Sequence, residues 1–486
     1  MKNISFIIGI FIFSIKLILG FEITHPVQVI PKDKSLDPVE SEDIFSANLI
    51  IQIHSPLFAI SNKNIPIPIL LKDFKVSKNQ KKYTFYLSDL TFKNGLPLTS
   101  RIVKSSLEHA ISRRIPGYEK LSIIRGVELF LKGLQKNISG IRVIDNQSFE
   151  IILTKPFPRL IYNLSDYRLS IVLRDGQQIY GLGKYYISKK TQNKIILNSK
   201  DKSENLVSRI TFSKASKLDA INGFNSNIYN DLFMYYITSS EINNITKNAK
   251  IHFINTAKTY IIYLNPFRFR DLKARKSLVS FINRYELVSN CYPGNIITDN
   301  IIPHGILGHF GNKKIISKDL GTYDSKNGIR ILIHKGSGQE ECVKSYFEGI
   351  FRKNNIKIET KILDVEDALQ EWYNNNAELM FGYLEVEENL DVLQFFHPNI
   401  KNTVGDPFNK KTIEKYKLLN NALSYSEYAQ HMFELHEDIV LQYTALPLFH
   451  PKQPLIYSKD WKIINTGVKS PTFIKFADIR LEKKYE

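Results

Sequence analysis

The sequence predicts a mixed α/β protein of two or three domains, and three observations carry this. The chain has 486 residues, too many for one ordinary hydrophobic core. Hydrophobic residues make up 43% and charged residues 23%, the balance of a globular protein rather than a disordered one. IRILIHKG, EECVKSYFEGIFRKNN and IKIETKIL follow one another between Ile329 and Leu363. They read as strand, helix and strand, a unit that pairs its strands in parallel.

At the N-terminus, Lys2 precedes an apolar run from Ile4 to Ile15, followed by Leu17-Ile18-Leu19-Gly20. Residues 1–20 have the layout of a secretory signal peptide. Lys16 interrupts the run and makes it a poor membrane span. Ile18 is large for its place before a cut, so the cleavage position stays open. No cysteine lies nearby to carry a lipid anchor, and no later segment reads as a membrane span. The mature chain is expected to be exported, soluble and periplasmic.

After it, a strand and a Ser35-Leu36-Asp37-Pro38 turn lead to a helix over 41–53. Tyr83, Phe85 and Leu87 alternate with Thr84, Tyr86 and Ser88, the pattern of a half-buried strand. Asn94-Gly95 supplies a tight turn, Pro97 holds the chain extended, and Thr99 can cap a helix. In that helix, over 100–112, Ile102, Val103, Ser106, Leu107, Ala110 and Ile111 share one face. A second helix is expected over 119–135. Ile141, Val143 and Ile144, then Phe149, Ile151 and Leu153, flank Asp145-Asn146 as a hairpin. GLGKYYI and NKIILN are short strands. From Arg209 to Tyr235 the pattern reads strand, helix, loop, strand.

TYIIYLNPF is a strand ended by Pro266. Asp271 can cap one long helix in which Leu278, Phe281, Ile282 and Tyr285 recur at helical spacing. AELMFGYL is another strand. Two helices follow over 411–423 and 426–443, and the chain ends in short strands near 455–457 and 475–481.

Two cysteines, Cys291 and Cys342, could pair in an oxidising compartment. Two lone thiols on separate elements are at least as compatible with the sequence, which gives no Cα separation. The expectation is a dispensable pair of residues in the last large lobe. Neither lies in a CxxC, so redox and thiolate–zinc sites have little support. The net charge is +18, but the basic residues are scattered, without a long Lys/Arg block or an aromatic–basic motif. The charge is read as compositional, with no nucleic acid partner. Any such binding should be weak and collapse with salt.

Several segments together resemble the peptide/nickel class of bacterial ABC-transporter solute-binding proteins, family 5. Leu36-Asp37-Pro38 is similar to the family's early LDP. The strand, the turn Asn94-Gly95-Leu96-Pro97-Leu98-Thr99 and the helix after it resemble its F.(D/N)G.P.T corner. Ser139-Gly140-Ile141 with VIDNQSFEIILTKPFP resembles its hairpin, and Gly181-Leu182-Gly183-Lys184-Tyr185 stands where the family has GTGPY. Asp271-Leu272-Lys273-Ala274-Arg275 through Asn283-Arg284-Tyr285-Glu286-Leu287-Val288 resembles D..vR.A...aiDR..lv. Ile302-Pro303 and Leu446-Pro447-Leu448-Phe449 resemble its iP and iPLy. The match runs in order over nearly the whole mature chain. One departure is Ile102, where an acid would complete a capping box after Thr99. Arg101 also opposes the helix dipole, so a slightly weaker cap is expected.

The resemblance implies a two-lobed periplasmic-binding-protein-like (Venus-flytrap) α/β fold with mixed sheets, hinge strands and an additional third domain. Lobe I would comprise 21–58, 175–260 and 465–486, the extra domain 59–174, and lobe II 261–464. It implies the exported, monomeric solute-binding component of an ABC importer. Such a protein captures peptides or a similar small solute and delivers them to a membrane permease, with no cofactor. The same fold in a non-transporting sensor, chaperone or surface-binding protein is the alternative. No catalytic signature such as GxSxG or HExxH is present, so no enzyme is expected.

For the site, the resemblance implies ligand backbone against Gly382, stacking on Tyr383, and contacts near Ile44, Phe449 and His450. For Ile44 a plain core position is the stronger alternative. A peptide binder's amine-anchoring Asp falls on Val386, so Glu385 or Glu387 is expected to take over, unless both lie on a solvated loop. His397 raises nickel, but one His without a second at ligand spacing is weak support.

Overall fold

The computed structural model describes residues 20–32, 36–41, 43–61, 65–176, 178–201, 206–245, 248–316, 328–385, 392–399, 403–464 and 473–482. The expected signal peptide, apart from Gly20, and both Val386 and Glu387 lie outside the described residues.

Among the described residues the elements gather into three bodies, the third with a core on each face of its sheet. The first holds β1 (Phe21–Val27), α1 (Ile44–Ile53), and, after a long excursion, β6 (Tyr185–Lys190), β7 (Lys194–Ser199) and β8 (Val207–Lys214). Its sheet has the order β1-β8-β7-β6, with β1 parallel to β8. α3 (Lys217–Asn225) and β9 (Ala249–Asn255) follow. Ile23, Leu49, Leu197, Phe212, Phe224 and Phe476 meet in its core.

The excursion forms the second body. β2 (Leu71–Val76), β3 (Lys82–Leu87), β4 (Ile141–Val143) and β5 (Ser148–Ile152) make a sheet of order β2-β3-β5-β4, and α2 (Ser100–Ser112) packs with them. Phe85 and Phe149 stack at 5.0 Å while Val103, Leu107 and Ile111 bury the predicted helical face. The Thr99 hydroxyl accepts the Ile102 N–H at 3.4 Å, a cap without its reciprocal acid.

The third body is built on a mixed five-stranded sheet. In chain order it contains β10 (Lys258–Leu264), α4 (Leu272–Ser280), α5 (Arg284–Cys291), β11 (Ile329–His334), α6 (Glu340–Lys353), β12 (Ile358–Leu363) and α7 (Val365–Tyr373). β13 (Leu379–Glu385), α8 (Lys410–Asn421), α9 (Tyr425–Leu441) and β14 (Ala445–Phe449) complete it. The strand order is β12-β11-β13-β10-β14. β11 runs parallel to β12, as the strand–helix–strand pattern requires, and also to β13. Ile331 and Ile333 enter one core with Phe347 and Phe351, while Leu332 enters another with Trp372 and Leu435. Helices thus cover both faces, which is why these strands read as continuous apolar runs.

Two strands cross from the first body to the third. β9 pairs antiparallel with β15 (Lys452–Ser458), and the chain continues from β9 into β10 and from β14 into β15. At the crossing, the Thr256 N–H and hydroxyl both donate to the Pro451 carbonyl, at 3.2 and 2.8 Å. The second body touches the third where Tyr162 stacks on Tyr425 at 5.1 Å and Arg159 donates to the Tyr428 hydroxyl at 3.1 Å.

The LDP segment has a structural use. Asp37 caps a short 3-10 helix at Pro38–Glu40 and accepts both Arg174 Nη2, at 2.9 Å, and Nε, at 3.1 Å.

Three sequence expectations need correction. No single helix spans 119–135: a 3-10 turn at Tyr118–Leu121 and a helix at Val127–Leu131 flank Gly126. Gly126 has φ +88°, and a Cβ there would stand 2.4 Å from Ser139 Oγ. No strand forms around Leu232–Tyr235; Asp231 makes an isolated bridge to Tyr457, accepts the Phe233 N–H, and pairs with buried His25 at 2.7 Å. The helix after Asp271 breaks at Phe281, and Asn283 caps a second one, leaving Tyr285 exposed.

Cys291 and Cys342, whose pairing the sequence left open, are bonded, with Cα atoms 5.6 Å apart, because the end of α5 packs against the first turns of α6. The bond closes a separation of 51 residues. Removing it should cost roughly 2–4 kcal/mol, chiefly by freeing the unfolded chain. Urea unfolding of the Cys291→Ser/Cys342→Ser protein checks this, and a loss below about 1 kcal/mol would restore the view that the pair is dispensable.

Candidate ligand-binding site

β10 and β13 lie antiparallel in a register that sets Tyr260 opposite Tyr383 and Lys258 opposite Glu385. Alternate residues of a strand share a face, so both cross-strand pairs stand on one side of the sheet. β13 pairs with β11 only as far as Ile333–Phe381. From Gly382 to Glu385 its edge toward β11 has no paired strand residue among the described residues. A Cβ at Gly382 would meet only the His334 Cβ, at 3.6 Å, so no close approach demands glycine there.

An aromatic cluster grows from the register. Tyr260 stacks on Phe449 at 4.6 Å, and its ring centroid lies 5.1 Å from Tyr292 and 5.8 Å from Tyr383. Phe449 is only 1% exposed and serves as the floor beneath Tyr260. The Tyr260 hydroxyl donates to the Ser337 carbonyl and the Tyr292 hydroxyl to that of Gly338. These bonds pin the loop between β11 and α6. The Gly336 and Gly338 N–H groups donate to Glu340, at 2.6 and 3.1 Å. Burial pushes both phenols above their ordinary range, and the nearby Tyr236 phenol adds to the rise. Tyr236 belongs to the chain between α3 and β9, in the first body, and is 72% exposed.

Charge gathers at the outer end. Lys258 Nζ sits 4.0 Å from the Tyr383 ring centroid and 3.4 Å from Glu385 Oε2. The His334 ring lies 5.1 Å from Tyr383, and its Nε2 is buried without a hydrogen-bond partner. Burial holds this imidazole below its ordinary range, and the Lys258 ammonium adds to the effect.

His450 stands at the crossing, its Nδ1 3.0 Å from the Thr259 hydroxyl, which donates to the Ile301 carbonyl at 2.8 Å. Burial, with His309 and His304 adding, lowers His450 to about 3 despite a hydrogen bond to the Lys258 backbone.

Gly382, Tyr383 and Glu385 thus come together with Phe449, while His450 lies at the crossing. Ile44 opens α1 in the first body and is 54% exposed, so it is not a core residue. Lys258, Tyr260, Tyr292 and His334 are neighbours that sequence reasoning did not find. His397 packs its ring 4.3 Å from Tyr416. Among the described residues no group of three or more His, Cys, Asp or Glu could hold a metal ion, and no helix is long and apolar enough to cross a membrane.

No curated protein sequence matches this chain. The family profile for "Bacterial extracellular solute-binding proteins, family 5 Middle" matches residues 66–382. Solved structures match nearly end to end at low identity. The periplasmic murein tripeptide binding protein MppA, in its unliganded open form, is 14% identical, with TM-score 0.80 over 96% of this chain and 98% of its own. HbpA2 from Haemophilus parasuis is 16% identical, with TM-score 0.77 over 95% and 100%. DppA from Helicobacter pylori, in complex with the peptide STSA, is 16% identical, with TM-score 0.67 over 96% and 99%. MppA and DppA are named as periplasmic binding proteins, and the mixed α/β fold of all three structures is that of this chain. With the fold shared end to end and the profile spanning most of the chain, the protein belongs to the family 5 bacterial extracellular solute-binding proteins.

Proposed function

We propose that this protein is the periplasmic solute-binding component of an ABC importer, exported by residues 1–20. It captures a peptide between two lobes and hands it to a membrane permease. Lobe I is 21–58, 175–260 and 465–486, the extra domain 59–174, and lobe II 261–464. The carrying observation is the aromatic cluster of Tyr260, Tyr292, Tyr383 and Phe449 beside the crossing strands that join the first body to the third.

A ligand seated there touches both lobes only when they are closed, so its binding energy favours closure. The edge of β13 from Gly382 on supports an extended peptide added strand-wise, with backbone giving affinity and pockets giving selectivity. Glu385 stands beside this edge, 3.4 Å from Lys258 in a pair open to solvent, and is the acid proposed to meet a ligand amine. Transport energy comes from the partner ATPase, so the chain works as a monomer, with no catalytic group or cofactor.

Native mass spectrometry after incubation with a pool of two- to five-residue peptides tests this. The intact protein should retain peptides from the pool. Tyr383→Ala, at unchanged melting temperature, should weaken them by about tenfold or more, the usual cost of truncating an aromatic anchor. Retention of no peptide at all would contradict the proposal.

A further inference from the structure

We infer that the turn from Arg125 to Lys136, on the second body, is a foot that rests on an anionic phospholipid bilayer. This contact goes beyond peptide capture and does not depend on it. Charge is the first observation. Between residues 59 and 174 the chain has 20 lysines and arginines against 8 aspartates and glutamates, an excess of 12. The whole chain has 66 against 48, so the remainder holds 46 against 40, an excess of only 6. Positive charge that is scattered along the sequence is therefore concentrated in one body, away from the aromatic cluster. A field of that sign draws the body toward anionic surfaces.

Apolar surface is the second. The short helix Val127–Leu131 is held by Val127, Phe130 and Leu131, which share one face and pack into the core of the body. Glu128, Leu129 and Lys132 are left exposed on the other. Gly133, at φ +73°, ends the helix. Its N–H donates to the Phe130 carbonyl at 3.0 Å, and the Leu134 N–H donates to the Leu129 carbonyl at 2.9 Å. This closure commonly sets two apolar residues against each other, and that alone would account for both leucines if it covered them. It does not: Leu129 is 42% and Leu134 70% exposed. Arg125, Lys132 and Lys136 are exposed on the same turn, and among the described residues none is paired with a carboxylate. Glu128 is the one acid between Arg125 and Lys136. Leucines beside cations suit a bilayer surface, where the leucines enter the headgroup boundary and the cations meet the phosphates. A soluble polyanion would match the cations and leave the leucines in water.

Flotation of the chain without residues 1–20 tests this, on vesicles of phosphatidylglycerol with phosphatidylcholine and on vesicles of phosphatidylcholine alone. The protein should float with the first and not the second, and added salt should release it. At unchanged melting temperature, Leu129→Ser/Leu134→Ser and Arg125→Gln/Lys132→Gln/Lys136→Gln should each weaken the association by about tenfold or more. Lys72→Gln/Lys75→Gln/Lys78→Gln removes the same charge elsewhere on the body and should weaken it by less than about threefold. The fluorescence of Leu134→Trp should shift to the blue on the anionic vesicles. Absence of association, or equal association with the neutral vesicles, overturns the inference. So does a leucine pair without effect, which would reduce the contact to attraction for any polyanion. Equal loss from the Lys72, Lys75 and Lys78 substitutions overturns it too, because the whole field and not this turn would then be responsible. Peptide retention should be the same in all these variants, so failure here leaves the peptide-binding proposal standing, and failure of that proposal leaves the vesicle result standing.

Discussion

At pH 5 the protein is expected to be roughly 6 kcal/mol less stable than at pH 7.5, through three buried histidines contributing about 2 kcal/mol each. Burial is the largest cause in every case. It lowers His54 to about 4, and His436 and His450 to about 3, from an ordinary 6.5. The sign follows from proton counting. Between the folded and unfolded pKa values the unfolded chain binds more protons, so stability rises with pH there. The full stability is present above 6.5 and is lost as pH falls through the window toward 4 and 3.

His436 shows the chemistry. Its Nε2 accepts the Ile301 N–H at 2.9 Å, and its Nδ1 lies 2.8 Å from the Gly308 carbonyl, to which it donates. Only the neutral ring can do both. Protonation would set an N–H of the ring against the N–H of Ile301. Urea unfolding across pH 5–7.5 measures the loss. His436→Gln should be less stable throughout, yet should flatten the pH dependence by about a third. An unchanged slope would remove His436 from the explanation.

Asp406→Ala is expected to cost roughly 3–5 kcal/mol, the usual penalty for stranding one half of a buried ion pair. Arg275 is 2% exposed. Its guanidinium donates to the carbonyls of Phe269, Arg270 and Gln442, at 2.7, 3.2 and 2.7 Å, and to Asp406 Oδ2 at 2.7 Å. Asp406 in turn accepts the Phe408 N–H at 2.9 Å. The pair ties the start of α4 to the segment before α8 and to the end of α9. Without the carboxylate, a charge that cannot be neutralised stays in the core. Removing both charges with apolar residues of similar volume, as in Arg275→Met/Asp406→Leu, should recover much of the loss. A loss below about 1 kcal/mol for Asp406→Ala would show that the carbonyls alone satisfy the arginine.

Local signals made the corner from Tyr83 to Ser112 legible. Alternation, an Asn-Gly turn and a capping Thr each act within a few residues, and α2 occupies the expected span. The parallel β11–α6–β12 unit was legible for the same reason. The broken helix after Asp271 was not, because Phe281, Ile282 and Tyr285 keep helical spacing through the break. A signal was present: Asn283 followed by Glu286 is a helix-start pattern, and Asn283 does cap α5.

Spacing could not give the cysteine bond, which depends on how α5 and α6 pack. The same limit governs the site. Gly382, Tyr383 and Glu385 are neighbours in sequence and could be read as a group. Lys258 and Tyr260 join them only through the register of two strands more than a hundred residues apart, and His334 through a third. The pairing of Glu385 with Lys258 was invisible for that reason.

Ligand-driven closure of the two lobes is tested most directly by small-angle scattering of the protein alone and with a saturating peptide pool. The radius of gyration should fall when peptide is added, because a ligand held between the proposed lobes is touched by both only when they are closed. An unchanged scattering curve, with peptide bound as judged by mass spectrometry, would contradict it.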